Sequence, residues 1–280
     1  MRTIIDFIQL SRPLNTLIAG FSMVVGSAIL NNLEDLTIVI TIVLVVIAYT
    51  AGANSLNDAS DVSTDLVNRP DRPIPRGAIS QKSAILFSFF LFLSGTILTL
   101  KLNNTAIVIS VFIAMPLMVI YSTHLKGKPL VGNLVVSIVI GLTFLFCGAA
   151  HYKINLMWLP AVLSFSLTFL RELVKDIADL KGDLSSGFST FPILVGLNRS
   201  SQLVIFLSFS IGLLAVWPFL NKIYGFWYGI IVFIGVEVPL AIVVGLFIYN
   251  PGITSAIHAA KILKFSSLMG LLAIYLGFQL

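Results

Sequence analysis

The sequence predicts an all-α integral membrane protein with nine transmembrane helices, and three observations support this. Of its 280 residues, 58% are hydrophobic and only 10% are charged, with a mean hydropathy of +1.02. A soluble domain carries about 25% charged residues. The apolar residues fall into runs of about 18 or more, long enough to cross a hydrocarbon core as helices. The basic residues, finally, are distributed between alternate connections as a multi-pass topology requires.

The nine runs are expected at 14–30, 36–56, 83–101, 105–122, 130–150, 156–175, 201–220, 226–249 and 258–278. Short polar segments such as Asn31-Asn32, Asn103-Asn104 and Asn250-Pro251-Gly252 separate them. The first run follows Arg12-Pro13 and is read as a retained helix rather than a secretory leader, because it is long enough to span and more spans follow. With the N-terminus on the cytoplasmic side, fourteen Lys and Arg fall on the inner face. Only three, Lys101, Lys153 and Lys222, fall on the outer face. That bias sets the orientation in the cell membrane and supports the count. The net charge of +5 is then a product of topology, and no nucleic-acid partner is expected. The two longest connections, 57–82 and 176–200, are short enough to be helix extensions plus a loop, so residues 1–280 are expected to form one domain. No protein partner is predicted.

The single cysteine, Cys147, excludes an internal disulfide and a cysteine-based metal site, and reads as a small buried apolar residue. His124, His151 and His258 are unclustered, which argues against metal ligation; His124 is the best placed for a site role. Glu237 lies within the eighth span beside Pro239, where a carboxylate is costly enough to face the bundle interior. Gly20, Gly26, Gly95, Gly141 and Gly245 are expected to serve close helix packing.

Eight of the twelve Asp and Glu residues lie in the two long connections or at their edges. Asp58, Asp61 and Asp65 share a spacing with Asp176, Asp179 and Asp183, 118 residues later. In a helix, offsets of 0, 3 and 7 fall within about 60° of one another, so each set presents one acidic stripe. Oxygen-only ligand sets of this kind suit Mg²⁺, which takes one or two carboxylates and completes its shell with water and phosphate. Arg69, Arg72, Arg76, Lys126, Lys128, Arg171, Lys175 and Lys181 lie among or near the acids, and cations beside carboxylates fit a metal-bound diphosphate. In a membrane protein, the rest of such a substrate is a lipid tail. The plainer reading is a pair of solvated loops whose charges pair with one another. Transport is another alternative; it calls for broken helices and ionisable groups near the bilayer midplane, where only Glu237 lies.

At these residues the chain resembles the UbiA superfamily of intramembrane prenyltransferases over essentially its whole length. The family's Asn-x-x-x-Asp-x-x-x-Asp motif matches Asn57, Asp61 and Asp65, and its second Asp-x-x-x-Asp matches Asp179 and Asp183. The Tyr121…Lys126 element matches a familial Tyr-x-x-x-Lys, with a spacing one residue longer. The resemblance implies nine helices around a cavity, capped on the cytoplasmic side by the polar loops. It also implies two Mg²⁺ ions, a polyprenyl diphosphate donor, and capture of an allylic cation by an acceptor.

The strings from Asn68 to Gly77 and from Arg171 to Ile177 look most like the branch that builds archaeal ether lipids by geranylgeranyl transfer to a lipid-like glyceryl phosphate. Asp61, Asp65, Asp179 and Asp183 are then the catalytic carboxylates, and Asn57, Asp58 and Asp176 join them around the metals. Asn15, Asn57, Arg69, Arg72, Arg76, Tyr121, Lys126, Arg171 and Lys175 are expected to contact substrate. Within the family the rival is an aromatic acceptor such as 4-hydroxybenzoate. Outside enzymes, the rival is a transporter or lipid-binding membrane protein.

Overall fold

The computed structural model describes residues 2–279, so residues 1 and 280 of the expected domain lie outside it. Every regular element among the described residues is helical. In chain order these are α1 (Arg2–Leu10), α2 (Pro13–Ile29), α3 (Leu36–Ser60), α4 (Val62–Asn68) and α5 (Gln81–Thr99). Next come α6 (Asn104–Leu125), α7 (Val131–Ala150), α8 (Trp158–Ala178) and α9 (Leu180–Ser185). The last three are α10 (Phe191–Leu220), α11 (Phe226–Tyr249) and α12 (Ile253–Gln279).

Seven of these, α3, α5, α6, α7, α10, α11 and α12, are long and apolar enough to cross a membrane. The protein is thus a multi-pass membrane protein. Helices also stand at the two other expected spans, with different character. α2 has 17 residues, and α8 carries Arg171, Glu172, Lys175 and Asp176 in its last two turns.

A bilayer offers no water to the backbone, so each span must satisfy its own N–H and C=O groups. Side-chain hydroxyls follow the same rule by bonding to a carbonyl one turn back. Ser27, Ser55, Ser110 and Ser208 donate to Met23, Ala51, Ala106 and Val204 at 2.7–2.9 Å. Two spans widen into π-helix just before a proline: Val108–Ala114 ahead of Pro116, and Phe233–Glu237 ahead of Pro239. Proline lacks an N–H and collides with the carbonyl four residues back, and a wider turn relieves both problems.

Contacts divide the chain into two compact units, residues 1–126 with 142–158 and residues 127–141 with 159–280. In the first unit α3 packs against α2 and α5, and small residues set the approach. A Cβ at Gly95 would lie 2.6 Å from the Tyr49 ring, at Gly20 2.8 Å from Ile47, and at Gly26 2.8 Å from Cys147 Sγ. Gly245 departs from the expected packing role, with open space where a Cβ would stand. The amphipathic α1 turns Phe7 and Leu10 into a cluster with Ala59, Ile74, Ile79, Ala84 and Phe87, leaving Ile4, Ile5 and Ile8 exposed. Arg76 pairs with Asp6, so α1 is fastened to the loop that follows α4.

In the second unit α11 packs on α10 and α12, with the Tyr228 hydroxyl donating to the Ala215 carbonyl at 2.7 Å. α10 begins ten residues before the expected span and kinks at Gly196, whose φ of 82° and ψ of 168° are non-helical. The turn after the kink is helical, and Ser200 and Ser201 satisfy their hydroxyls on the carbonyls of Gly196 and Leu197.

At the opposite end of α2 from Pro13, one chain of hydrogen bonds closes the first unit. Lys153 Nζ donates to Asn32 Oδ1 at 2.6 Å and to the Leu30 carbonyl at 2.7 Å. Asn32 Nδ2 faces His151 Nδ1 at 3.3 Å, and His151 Nε2 lies 2.9 Å from Ser27 Oγ. Ser27 gives its own proton to Met23, so it accepts from Nε2–H, and His151 is neutral. Burial lowers its pKa below the ordinary 6.5, with Asp35 opposing and Lys153 reinforcing the shift. The unfolded chain therefore binds the proton at higher pH than the folded one, and stability falls as pH drops below about 6.5. The melting temperature in detergent is expected to decline between about pH 7.5 and pH 5. His151→Leu should flatten that slope while costing about 1–3 kcal/mol at neutral pH.

Candidate active site

Asp58 lies in the last turn of α3, Asp61 at the junction between α3 and α4, and Asp65 within α4. Asp61 adopts φ −96° and ψ 11°, the sparsely populated bridge region. The amide bonds nevertheless run through the junction, from Asp61 to the Asn57 carbonyl at 3.0 Å and from Asp65 to the Asp61 carbonyl at 2.8 Å. The three carboxylates keep helical phase. The second motif breaks at the same place. Asp179, at φ −91° and ψ 6°, separates α8 from α9, and its amide bonds to Lys175 at 2.8 Å while Asp183 bonds back to it at 3.1 Å.

In the first motif the carboxylates are almost fully buried, with side-chain exposures of 3% for Asp58, 3% for Asp61 and 1% for Asp65. Each meets a cation. Lys126 pairs with Asp61 Oδ2 and also reaches Asn57 Oδ1 at 3.2 Å. Arg72 Nη1 donates to Asp58 Oδ1 at 2.9 Å and to Asp65 Oδ2 at 2.6 Å, with Arg69 3.6 Å from Asp65. Arg12 pairs with Asp58 Oδ1. Burial raises the Asp61 pKa despite the opposing charge of Lys126. Burial, and then the field of Arg12, lowers that of Arg72.

Two buried oxygens, Asp61 Oδ1 and Asp65 Oδ1, accept no hydrogen bond among the described residues, and Asp65 Oδ1 is met only by the charge of Arg69 at 3.6 Å. Buried carboxylate oxygens left without a hydrogen bond suit a hard cation. No group of three His, Cys, Asp or Glu converges as a ready cage among the described residues.

Lys126 reaches Asp61 because of a π turn. Residues Tyr121–Leu125 form π-helix, and the Lys126 amide bonds to the Tyr121 carbonyl at 2.9 Å. The wider turn absorbs the extra residue in the Tyr121…Lys126 spacing.

In the second unit, Asn133 Nδ2 donates to Asp176 Oδ2 at 2.9 Å, and Lys175 clasps both oxygens of Glu172 at 2.9 and 2.7 Å. Burial pushes Asp176 up to about 7, with Asn133 opposing and Glu172 and Asp183 adding to the shift. Arg171 Nε and Thr190 Oγ1 are buried and unpartnered among the described residues. Gly127 lies against Phe188 and accepts the Ser189 amide at 2.9 Å.

The structure thus gathers Asn57, Asp58, Asp61, Asp65, Arg69, Arg72 and Lys126 in one unit. Arg76 turns away to Asp6 and to Gln9 at 3.2 Å, and Asn15 is exposed on α2. Arg12 and Asn133 are the polar partners that sequence reasoning left out. Arg12 had a signal, an Arg-Pro pair immediately ahead of a span; Asn133 had none, being one asparagine inside an apolar run.

The UbiA prenyltransferase family matches residues 14–268. The chain belongs to that family and is a prenyltransferase. Its relatives narrow the class. It is 39% identical over 196 residues to the digeranylgeranylglyceryl phosphate synthase of Thermococcus kodakarensis, 70% of each chain being covered. It is 34% identical over 273 residues to that of Methanopyrus kandleri, covering 95% of this chain and 97% of the other. A solved structure of a digeranylgeranylglyceryl phosphate synthase superposes with a TM-score of 0.79 at 29% identity, covering 99% of both chains. A UbiA homologue from Archaeoglobus fulgidus bound to GPP and Mg²⁺ shares the fold, with a TM-score of 0.66 at 15% identity over 96% of this chain and 99% of that one.

Two glycines test the loop geometry. Gly77 and Gly127 have φ of 76° and 81°, but only at Gly127 would a Cβ collide, 2.6 Å from the Phe188 ring. Gly77→Ala is expected to cost about 1–2 kcal/mol of backbone strain. Gly127→Ala should cost a further 1–3 kcal/mol or so through overpacking. Melting temperatures of the two variants in detergent check the order.

Proposed function

We propose that the protein transfers a geranylgeranyl group from geranylgeranyl diphosphate to the free hydroxyl of geranylgeranylglyceryl phosphate. The product carries the second ether bond of archaeal membrane lipids, and pyrophosphate is released. The observation that carries this reading is the buried carboxylate cluster, two of whose oxygens accept no hydrogen bond, ringed by Arg and Lys at the end of a membrane span. The relatives named above support the choice of substrates.

Asp61, Asp65, Asp179 and Asp183, assisted by Asn57, would hold two Mg²⁺ ions on the cytoplasmic face. Bound Mg²⁺ offsets the negative charge that grows on the diphosphate as the carbon–oxygen bond breaks. Asp58 and Asp176 already accept from Arg72 and Asn133 and orient the neighbouring ligands. Arg69, Arg72 and Lys126 of the first unit, and Arg171 and Lys175 of the second, would donate to phosphate oxygens, as would the Tyr121 hydroxyl; preorganised donors of this kind lower the barrier without reorganising. The acceptor hydroxyl bonds to C1 of the prenyl chain as pyrophosphate leaves, and its proton passes to pyrophosphate. Apolar walls keep water from the allylic cation until then.

In detergent with Mg²⁺ and labelled geranylgeranyl diphosphate, label is expected to move to geranylgeranylglyceryl phosphate and not to 4-hydroxybenzoate, and EDTA should stop it. Asp61→Ala and Asp183→Ala should each lower kcat by about a thousandfold while the protein stays folded. Transfer to the aromatic acceptor alone would overturn the substrate. Near-normal turnover by both variants would overturn the metal assignment.

A further inference from the structure

Arg12 has no place among the roles above, yet the fold holds it under strain. Its φ of 52° and ψ of 69° lie in the left-handed region, where a residue with a Cβ is disfavoured, and Pro13 restricts it further. Such a conformation persists only where its surroundings over-determine it. The carbonyl of Ser11 accepts from Asn54 Nδ2 at 3.0 Å and from Thr16 Oγ1 at 2.7 Å. The Arg12 amide donates to Gln9 at 3.0 Å, and its carbonyl receives Thr16 at 3.1 Å. Asn54 and Asp58 are one turn apart on α3 and face the same side. Asn54 thus grips the backbone of the turn while Asp58 grips the Arg12 side chain.

Asp58 Oδ1 takes the guanidinium of Arg12 and that of Arg72 together. One carboxylate oxygen thus orients two guanidiniums side by side. Arg72 goes on to Asp65, whereas Arg12 Nε is buried with no hydrogen-bond partner among the described residues. A guanidinium has five donors, and this one holds a fixed direction with donor capacity left over.

We propose that Arg12 binds the diphosphate of the prenyl donor, and that Asp58 is the anchor aligning Arg12 with Arg72 rather than a metal ligand. This rests on the prenyl-transfer reading. It explains the strain: a left-handed turn is the means by which an arginine from the mouth of α2 reaches the end of α3.

Binding of Mg²⁺ alone, and of inorganic pyrophosphate in the presence of Mg²⁺, is measured by titration calorimetry on the full chain in detergent. Arg12→Gln and Asp58→Asn should keep wild-type Mg²⁺ affinity and weaken pyrophosphate by about 10- to 100-fold. Arg12→Lys should recover part of that loss. Asp61→Asn should lose Mg²⁺ itself and so marks the signature of a true ligand. In steady state Arg12→Gln should raise the KM for the donor and leave the KM for the acceptor unchanged. The proposal is overturned if Asp58→Asn loses Mg²⁺ as Asp61→Asn does, if Arg12→Gln binds pyrophosphate like wild type, or if only the acceptor KM rises. A wild-type protein that bound neither probe would overturn the prenyl-transfer reading and this proposal with it.

Discussion

Three carboxylates within eight residues, each no more than 3% exposed, set the constraint on which this protein's polar end depends. Buried charge is costly unless paired and hydrogen-bonded. The cations that pair with Asp58, Asp61 and Asp65 arrive from separate segments: Arg12 from ahead of α2, Arg69 and Arg72 from the end of α4 and its loop, Lys126 from the end of α6. Neutralising the acids therefore ties together the ends of helices whose spans are held mainly by apolar packing. The loop after α4 is held on its other side by Arg76 and Asp6, so even the peripheral α1 contributes to the same arrangement.

The positions of the helices were legible because run length and polar breaks are coarse signals, and the motifs because charge is rare in so apolar a chain. What escaped the sequence depends on tertiary packing or on small departures from α geometry. Arg12 and Lys126 meet their carboxylates across 46 and 65 residues, and no local spacing says which cation takes which acid. The π turn at Tyr121–Leu125 cannot be read from a spacing that is merely one residue too long. The early start of α10 was hidden because Asn198 and Arg199 look like a loop, although that turn is helical and Ser200 and Ser201 satisfy their hydroxyls on its carbonyls. Gly245 was grouped with packing glycines on residue type alone, and nothing stands within 4 Å of its missing Cβ.

The two motifs share a spacing and a break but are stabilised differently. The first is surrounded by full positive charges. In the second, Asp176 has the amide of Asn133, while Lys175 is committed to Glu172. Burial dominates the pKa of both Asp61 and Asp176, raising each against its hydrogen-bonding partner. A single lysine or a neutral amide does not repay the loss of water around these carboxylates. A divalent ion compensates an ionised carboxylate far better than either, so the same burial that destabilises the anions favours capture of a hard cation.

The distribution of charge also separates catalysis from transport. Transporters of the broken-helix kind place ionisable residues and unwound backbone near the bilayer midplane. Here the one carboxylate deep in a span is Glu237, on the π segment before Pro239. It lies so close over Gly212 that a Cβ there would stand 2.7 Å from Oε2. It is packed against a neighbouring helix rather than facing a path through one. The acids of the two motifs stand at the helix breaks or about one turn from them, where backbone turns can present them. A substrate with a charged head and a lipid tail imposes that same division, its head at the helix ends and its tail among the spans.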